Sequence, residues 1–254
     1  MILVCDIGNT FIKSAIFKNE TLTNYNVKKD FSSIRKSIKE KEVRTIVISS
    51  VVPLKLKLLL KELSSFRSIK SFVIHKNLQF NLSIKYTTPN TLGVDRICSA
   101  EGASYLIKSS GDANSFKKGD YLLSIDCGTA TTINVIKFPN SFLGGLIAPG
   151  LDMMFSSLHT QTAQLPKLTM DSYKSLIGNS TKAAIASGVI NSTVGMIHQT
   201  IGLLTKQPKC VFITGGNAKY IIPHLKFDVR FEKALVLYGI KAIFDRNIKL
   251  FNVY

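Results

Sequence analysis

Residues 2–17, ILVCDIGNTFIKSAIF, open the chain with an apolar run, a tight Asp-x-Gly turn and a second run rich in Ile and Phe. This is hairpin grammar: β-branched and aromatic residues favour strands, and Asp and Gly mark the turn between them. The same grammar returns at residues 122–137, LLSIDCGTATTINVIK. Asp6 and Gly8 recur as Asp126 and Gly128 at a single offset (126 − 6 = 128 − 8 = 120). An offset near half the chain, with Thr-bearing segments after both turns, argues for duplication over chance recurrence of two ordinary turn residues. Further apolar runs, TIVISS at 45–50 and VFITGG at 211–216, add a buried strand to each half, with helical spacing after it. The expected fold class is α/β, with two similar half-domains, residues 1–115 and 116–254, around a cleft in which a ligand would sit. The boundary falls in the loop-like stretch GDANSFKKGD at 111–120.

With 254 residues, 45% of them hydrophobic, the chain can bury a sizeable core. Its opening apolar run breaks at Asp6, and no run elsewhere is long enough to cross a bilayer, so a cytoplasmic protein without a membrane partner is expected. Cys5, Cys98, Cys127 and Cys210 lie far apart without a CxxC pair, which predicts buried reduced thiols and neither disulfide nor zinc. His75, His159, His198 and His224 show no ligand spacing. The net charge of +17 raises the question of nucleic acid, since basic surfaces collect phosphates by counterion release. The lysines are scattered, however (KNETLTNYNVKKD, KLKLLLKEL, SFKKGD), and not interleaved with aromatics. They predict solvated side chains with a general attraction for anionic ligands. In PLKLKLLLKEL, residues 53–63, Pro53 suits the first turn of a helix, and the leucines predict a core helix with a broad apolar face.

Glycine at positions 8 and 128 lets backbone amides approach a ligand, and the hydroxyls of Thr10, Thr129, Thr131 and Thr132 can donate to phosphate oxygens. Asp6 or Asp126 would repel a phosphate directly, so the fitting role is to hold a cation or its water shell, with Asp6 as the magnesium-side carboxylate. Lys13 would reach the same phosphates if it faces the cleft, and is otherwise a solvated lysine. In ITGGNA, residues 213–218, Gly215 and Gly216 would leave room for a flat ring or ribose, as an adenosine pocket needs. No GxxxxGK[ST] is present, which argues against a P-loop, and no GxSxG nucleophile elbow is present either. After Pro89 and Gly93, the spacing in YTTPNTLGVDRICSAEGASYLI, residues 86–107, predicts a helix. Asp95 could simply cap it. Arg96 does not fit that account, because a cation in the first turn meets the positive end of the helix dipole unless an anionic ligand offsets it. Asp95 as base for a hydroxyl, beside Arg96 as clamp for a carboxylate, is the chemical alternative.

Together, DIGNT, YTTPNTLGVDR, DCGTATTIN, GGLIAPG and TGGNA resemble the ordered motifs of type III pantothenate kinases, from Asp6 to about Gly239. LGVDR with the DCGTATT turn separates that family within the wider actin, sugar-kinase and heat-shock ATPase superfamily. The resemblance implies a duplicated ribonuclease-H-like fold, a homodimer, and transfer of the ATP γ-phosphate to pantothenate. The product would be 4′-phosphopantothenate, in the first step of coenzyme A biosynthesis. Magnesium and a monovalent cation, potassium or ammonium, are implied as well. On the matching positions, Asp6, Ile7, Gly8, Asn9, Thr10, Phe11, Ile12 and Lys13 would bind the ATP phosphates, with Asp6 near magnesium. Asp95 would be the base. Tyr86, Gly93, Val94, Asp95 and Arg96 would bind pantothenate, and Thr181, in IGNSTKAAIASG, would reach it across the dimer interface. Asp126 would hold the monovalent cation and Thr129 would contact ATP. GGLIAPG, residues 144–150, would shape the cleft.

One departure stands out. Relatives often end the second phosphate motif with an acid, as in DxGTATTxD, whereas this chain has Asn134. Asn keeps a polar oxygen and loses a charge, so a cation or water there would be held less firmly. A regulatory or nucleic-acid-binding protein that has lost turnover would use the same scaffold and the +17 charge. Retention of Asp95, Arg96, Asp126 and Thr129 argues against it. A sugar or acetate kinase would share the fold, and the GVDR segment separates that reading from the first.

Overall fold

The computed structural model describes residues 1–40, 43–170, 173 and 175–251. The chain divides into two compact units. One comprises Met1–Ser115, Asn140–Leu143 and Ala234–Tyr254, and the other Phe116–Pro139 and Gly144–Lys233.

In the first unit, β1 (Ile2–Ile7) and β2 (Ile12–Lys18) form the predicted hairpin, which β3 (Thr21–Lys28) extends into an antiparallel meander. After α1 (Ser32–Glu40), β4 (Thr45–Ser50) pairs in parallel with β1. After α2 (Pro53–Leu63), β5 (Lys70–Val73) pairs in parallel with β4, giving the order β3-β2-β1-β4-β5. Side chains alternate between the sheet faces. Leu3, Cys5, Ile7, Ile12, Ile46 and Ile48 share a cluster with Ile34 of α1 and with Leu59 and Leu63 of α2. Pro53 occupies the first helical turn as expected, but Leu54 and Leu58 are 69% and 53% exposed. The expected core helix is thus a surface helix: only its Leu59–Leu63 stripe, one turn apart, is fully buried. β6 (Ser83–Ile84) precedes α3 (Val94–Ser109), which is buried on almost every side.

The second unit repeats the arrangement. β7 (Tyr121–Cys127) and β8 (Ala130–Lys137) form the second hairpin and β9 (Ser141–Pro149) follows. The first residues of β9 belong to the first unit, where Ser141 and Phe142 pair with Ser83 and Ile84 of β6. Then come α4 (Leu151–Thr160), α5 (Thr181–Gly202), β10 (Cys210–Thr214), α6 (Ala218–Ile221) and β11 (Arg230–Phe231). The strand order β11-β10-β7-β8-β9 matches β5-β4-β1-β2-β3. The repeat holds in register: Asp6 lies opposite Lys13 and Ser49, and Asp126 opposite Thr132 and Thr214. The turns differ by one residue, since Gly8 N donates to Phe11 O but Gly128 N donates to Ala130 O.

The last long helix, α7 (Leu235–Arg246), returns to the first unit and packs on α3. Ala234–Tyr254 thus groups with Met1–Ser115. Gly102 of α3 and Gly239 of α7 carry no side chains, which lets the two backbones meet directly. A Cβ on Gly239 would overlap the Cys98 carbonyl oxygen and lie 2.8 Å from Gly102 N. Among the described residues, no helix is long and apolar enough to cross a membrane. All four cysteines are free thiols, three of them buried and Cys210 partly so.

Candidate active site

In the first unit, Asp6, 8% exposed, is the penultimate residue of β1, with Lys13 directly opposite on β2. Residues opposite one another on antiparallel strands share a sheet face, so the carboxylate and the lysine stem lie side by side. Ile7 and Ile12 point the other way, into the core cluster, and can offer a ligand only their backbone. Between them Gly8 is half-buried, and Asn9, Thr10 and Phe11 are exposed. One contact escaped the sequence reading: Lys55 Nζ donates to Asn9 O at 2.7 Å and to Gly8 O at 3.2 Å. Nothing in PLKLKLLLKEL marks Lys55 out from its neighbouring lysines.

At the start of α3 the cap position is Gly93, so Asp95 lies in the first turn and is not the N-cap. Its carboxylate accepts from Arg96 N at 2.9 Å. A Cβ on Gly93 would overlap Asp95 Oδ1, so the glycine is what lets the carboxylate fold back over the helix start. Val94 is buried and anchors the turn. Arg96, only 4% exposed, holds its guanidinium carbon 6.0 Å from the Tyr86 ring centroid and 5.9 Å from that of Phe142. Both are cation–π distances. Phe142 also escaped the sequence reading. It is brought in by β6, where Lys85 N donates to Phe142 O and Ser83 N to Asn140 O. Glu101, one turn beyond Ile97 on α3, accepts from Leu82 N at 2.8 Å and from Asn81 Nδ2 at 3.0 Å, tying the Tyr86 segment to the helix. Burial raises its carboxyl above the usual range, and the two donors oppose that. Burial also pushes the Cys98 thiol well up, reinforced first by the charge of Asp6 and then by those of Asp95 and Glu101. The carboxylates of the first hairpin and of α3 thus act on one buried side chain.

In the second unit, Asp126 is the penultimate residue of β7, and two later segments close on its turn. Gly150, which caps α4, donates from its N–H to Thr129 O at 3.0 Å. Asn217 N donates to Cys127 O at 3.0 Å, and Asn217 Nδ2 to Asp152 Oδ2 at 3.3 Å. Gly215 has φ +96°, in the left-handed region, and a Cβ there would lie 2.6 Å from Asp126 Oδ1. The space at Gly215 is therefore taken up by the protein itself, while Gly216 faces open space. Burial and the Asp126 charge push the Cys127 thiol up to about 12. Thr129 is exposed at the turn tip. Asn134 is fully buried and donates to Ser124 Oγ at 3.2 Å across the β7–β8 ladder. Thr181 begins α5 behind the Ser180 cap and lines a cavity of about 1010 Å³ between α4 and α5. Tyr86 and Gly93 through Arg96 belong to the first unit, and Thr181 to the second.

No group of three or more His, Cys, Asp or Glu that could hold a metal occurs among the described residues. Asp6, 8% exposed and opposite Lys13, offers the single carboxylate that a magnesium ion otherwise held by phosphate oxygens and water would take. Beside Asp126, on the same sheet face, the Thr214 hydroxyl oxygen is buried with no hydrogen-bond partner among the described residues. An all-oxygen set of this kind fits a hard cation.

The family model for type III pantothenate kinase matches residues 2–202. A type III pantothenate kinase of Flavobacterium johnsoniae is 35% identical, covering 98% of this chain and 99% of its own length. That of Christiangramia forsetii is 34% identical over 97% and 99% of the two chains. Among solved structures, a proposed Baf family transcriptional activator from Campylobacter jejuni aligns with a TM-score of 0.57 at 22% identity, covering 97% and 99% of the two chains. A glucokinase from an Antarctic psychrotroph aligns with a TM-score of 0.50 at 12% identity, covering 95% and 97%. These structural likenesses establish the actin and hexokinase-like fold, with its two mixed sheets. Given the motifs in order, their shared strand-end positions in two repeated units, and relatives matched over nearly their whole length, the chain belongs to the type III pantothenate kinase family.

Proposed function

We propose that this chain transfers the γ-phosphoryl group of ATP to the primary hydroxyl of pantothenate, with Asp95 as general base and Arg96 as the clamp for the pantothenate carboxylate. The observation that carries this reading is the buried Arg96 guanidinium, steadied by Tyr86 and Phe142, one residue after a half-buried carboxylate in the first turn of α3. Phosphoryl transfer depends on in-line placement and charge neutralisation more than on covalent chemistry. Asp95 accepts the hydroxyl proton as the oxygen bonds to the γ-phosphorus and the bond to ADP breaks. Gly93 and Val94 set the position of that carboxylate. The segment Asp6–Lys13 is assigned to the ATP phosphates, as is Thr129 in the second unit, with adenosine assigned to the Gly215–Gly216 turn on its open side, at Gly216. Asp6 would hold Mg²⁺ and Asp126 a monovalent cation, K⁺ or NH₄⁺, which when bound neutralise phosphate charge. Thr181 is assigned to pantothenate across a homodimer interface, and the protein to the cytoplasm.

The test is a mass-spectrometric assay for 4′-phosphopantothenate with ATP, Mg²⁺ and pantothenate, run in parallel with potassium, ammonium or sodium. Product that depends on potassium or ammonium is expected, and no product in any of the three salts would overturn the reading. For the clamp, Arg96→Ala is expected to raise KM for pantothenate by about ten- to a hundredfold. A hydrogen bond to a charged group contributes roughly 1.5–3 kcal/mol. Steady-state kinetics at saturating ATP measure it, and an unchanged KM would remove Arg96 from the role.

A further inference from the structure

We infer that Lys55 is a positioning residue for phosphate binding, acting through the backbone of the first turn; this rests on the reading that Asp6–Lys13 holds the ATP phosphates. The start of α2 is tied to the end of β1. Val51 N donates to Ile7 O at 3.2 Å, continuing the β1–β4 ladder, and Val52 N donates to Ser50 Oγ at 3.0 Å. Pro53 then begins the helix and sets Lys55, half-buried, beside the turn. Its ammonium takes two successive carbonyls, Asn9 O at 2.7 Å and Gly8 O at 3.2 Å.

In a trans peptide the C=O and N–H point in opposite directions. Drawing the Gly8 and Asn9 carbonyls onto Lys55 therefore turns the N–H groups of Asn9 and Thr10 away from the ammonium together. Successive N–H groups aimed one way form a concavity for anions. In an exposed turn that begins at a glycine, a peptide released from Lys55 can rotate and present a carbonyl oxygen where phosphate oxygens belong. Lys55 prevents that rotation and adds a positive charge behind the turn. Its contribution is therefore to phosphate recognition and not to nucleoside or acceptor binding.

The experiment compares Lys55→Met, Lys55→Arg and Lys13→Met in the full chain, measuring ATP, ADP and adenosine affinity by calorimetry, together with KM for both substrates. Lys55→Met is expected to weaken ATP and ADP by about tenfold, the scale of hydrogen bonds to a charged group. Adenosine affinity and KM for pantothenate are expected to stay as in the wild type, with Lys55→Arg recovering most of the ATP affinity. Equal losses for ATP and adenosine would reveal a general disturbance of α2 and overturn the inference. So would unchanged ATP affinity in Lys55→Met while Lys13→Met weakens it, an outcome that leaves the phosphate assignment standing. If neither variant alters ATP affinity, the phosphate assignment of the first turn fails, and the role of Lys55 with it.

Discussion

Replacing Asp95 by Asn is expected to lower kcat by about 10²–10⁴-fold while ATP affinity stays at the wild-type level, the range typical of general-base assistance. The substitution is nearly isosteric. Asn retains an oxygen that can accept from Arg96 N, the contact Asp95 makes at 2.9 Å, so the first turn of α3 keeps its shape. What it loses is the capacity to take a proton. The nucleotide is assigned to other elements, which separates the two readouts. Steady-state kinetics with pantothenate and ATP, alongside calorimetry with ATP alone, make the measurement. A variant with kcat close to wild type would exclude Asp95 as the base, whatever its ATP affinity.

The second large effect is on stability. Gly239→Ala is expected to cost about 3 kcal/mol or more, at or above the usual upper range for overpacking. The added methyl would overlap the Cys98 carbonyl oxygen and lie 2.8 Å from Gly102 N. Both neighbours are backbone, so no side chain can swing aside and the two helices must part. Because α3 also carries Asp95 and Arg96, kcat/KM is expected to fall with stability. Urea unfolding measures the loss, with Gly195→Ala on α5 as the control. A Cβ at Gly195 meets nothing within 4 Å, so helix propensity alone predicts a gain of up to about 1 kcal/mol there. If Gly239→Ala were as stable as the wild type, the contact between α3 and α7 would not be the constraint argued above.

Much of the candidate site was legible along the chain because its parts are local. A strand, an Asp-x-Gly turn and a second strand lie within sixteen residues of each other in both repeats, and two β-rich apolar runs around turn residues report them directly. The segment GVDR likewise puts Asp95 and Arg96 side by side on one helix turn. The helix boundary was less legible. A cap was one of two roles open to Asp95, yet Gly93 takes that position, and the distinction depends on where the carboxylate folds and not on which residue types are present. Asn134 could be recognised as a departure from the family pattern. Its burial beside Ser124 shows that the amide lies inside the second hairpin, a matter of strand register.

Sequence alone was sufficient for the α/β class, the duplication, the two strand-end carboxylates and the family, since each is written in short, ordered motifs. Three features were decided by tertiary structure: the return of α7 to the first unit, the Phe142 ring beside Arg96, and the grip of Lys55 on the first turn. Each joins residues more than forty positions apart whose types are ordinary in their own segments. Leu54 and Leu58 illustrate the same limit, being apolar in pattern yet exposed. Periodicity reports which side of an element is apolar. Only the packed chain determines what covers that side, because burial is a property of the neighbours that folding brings up to it.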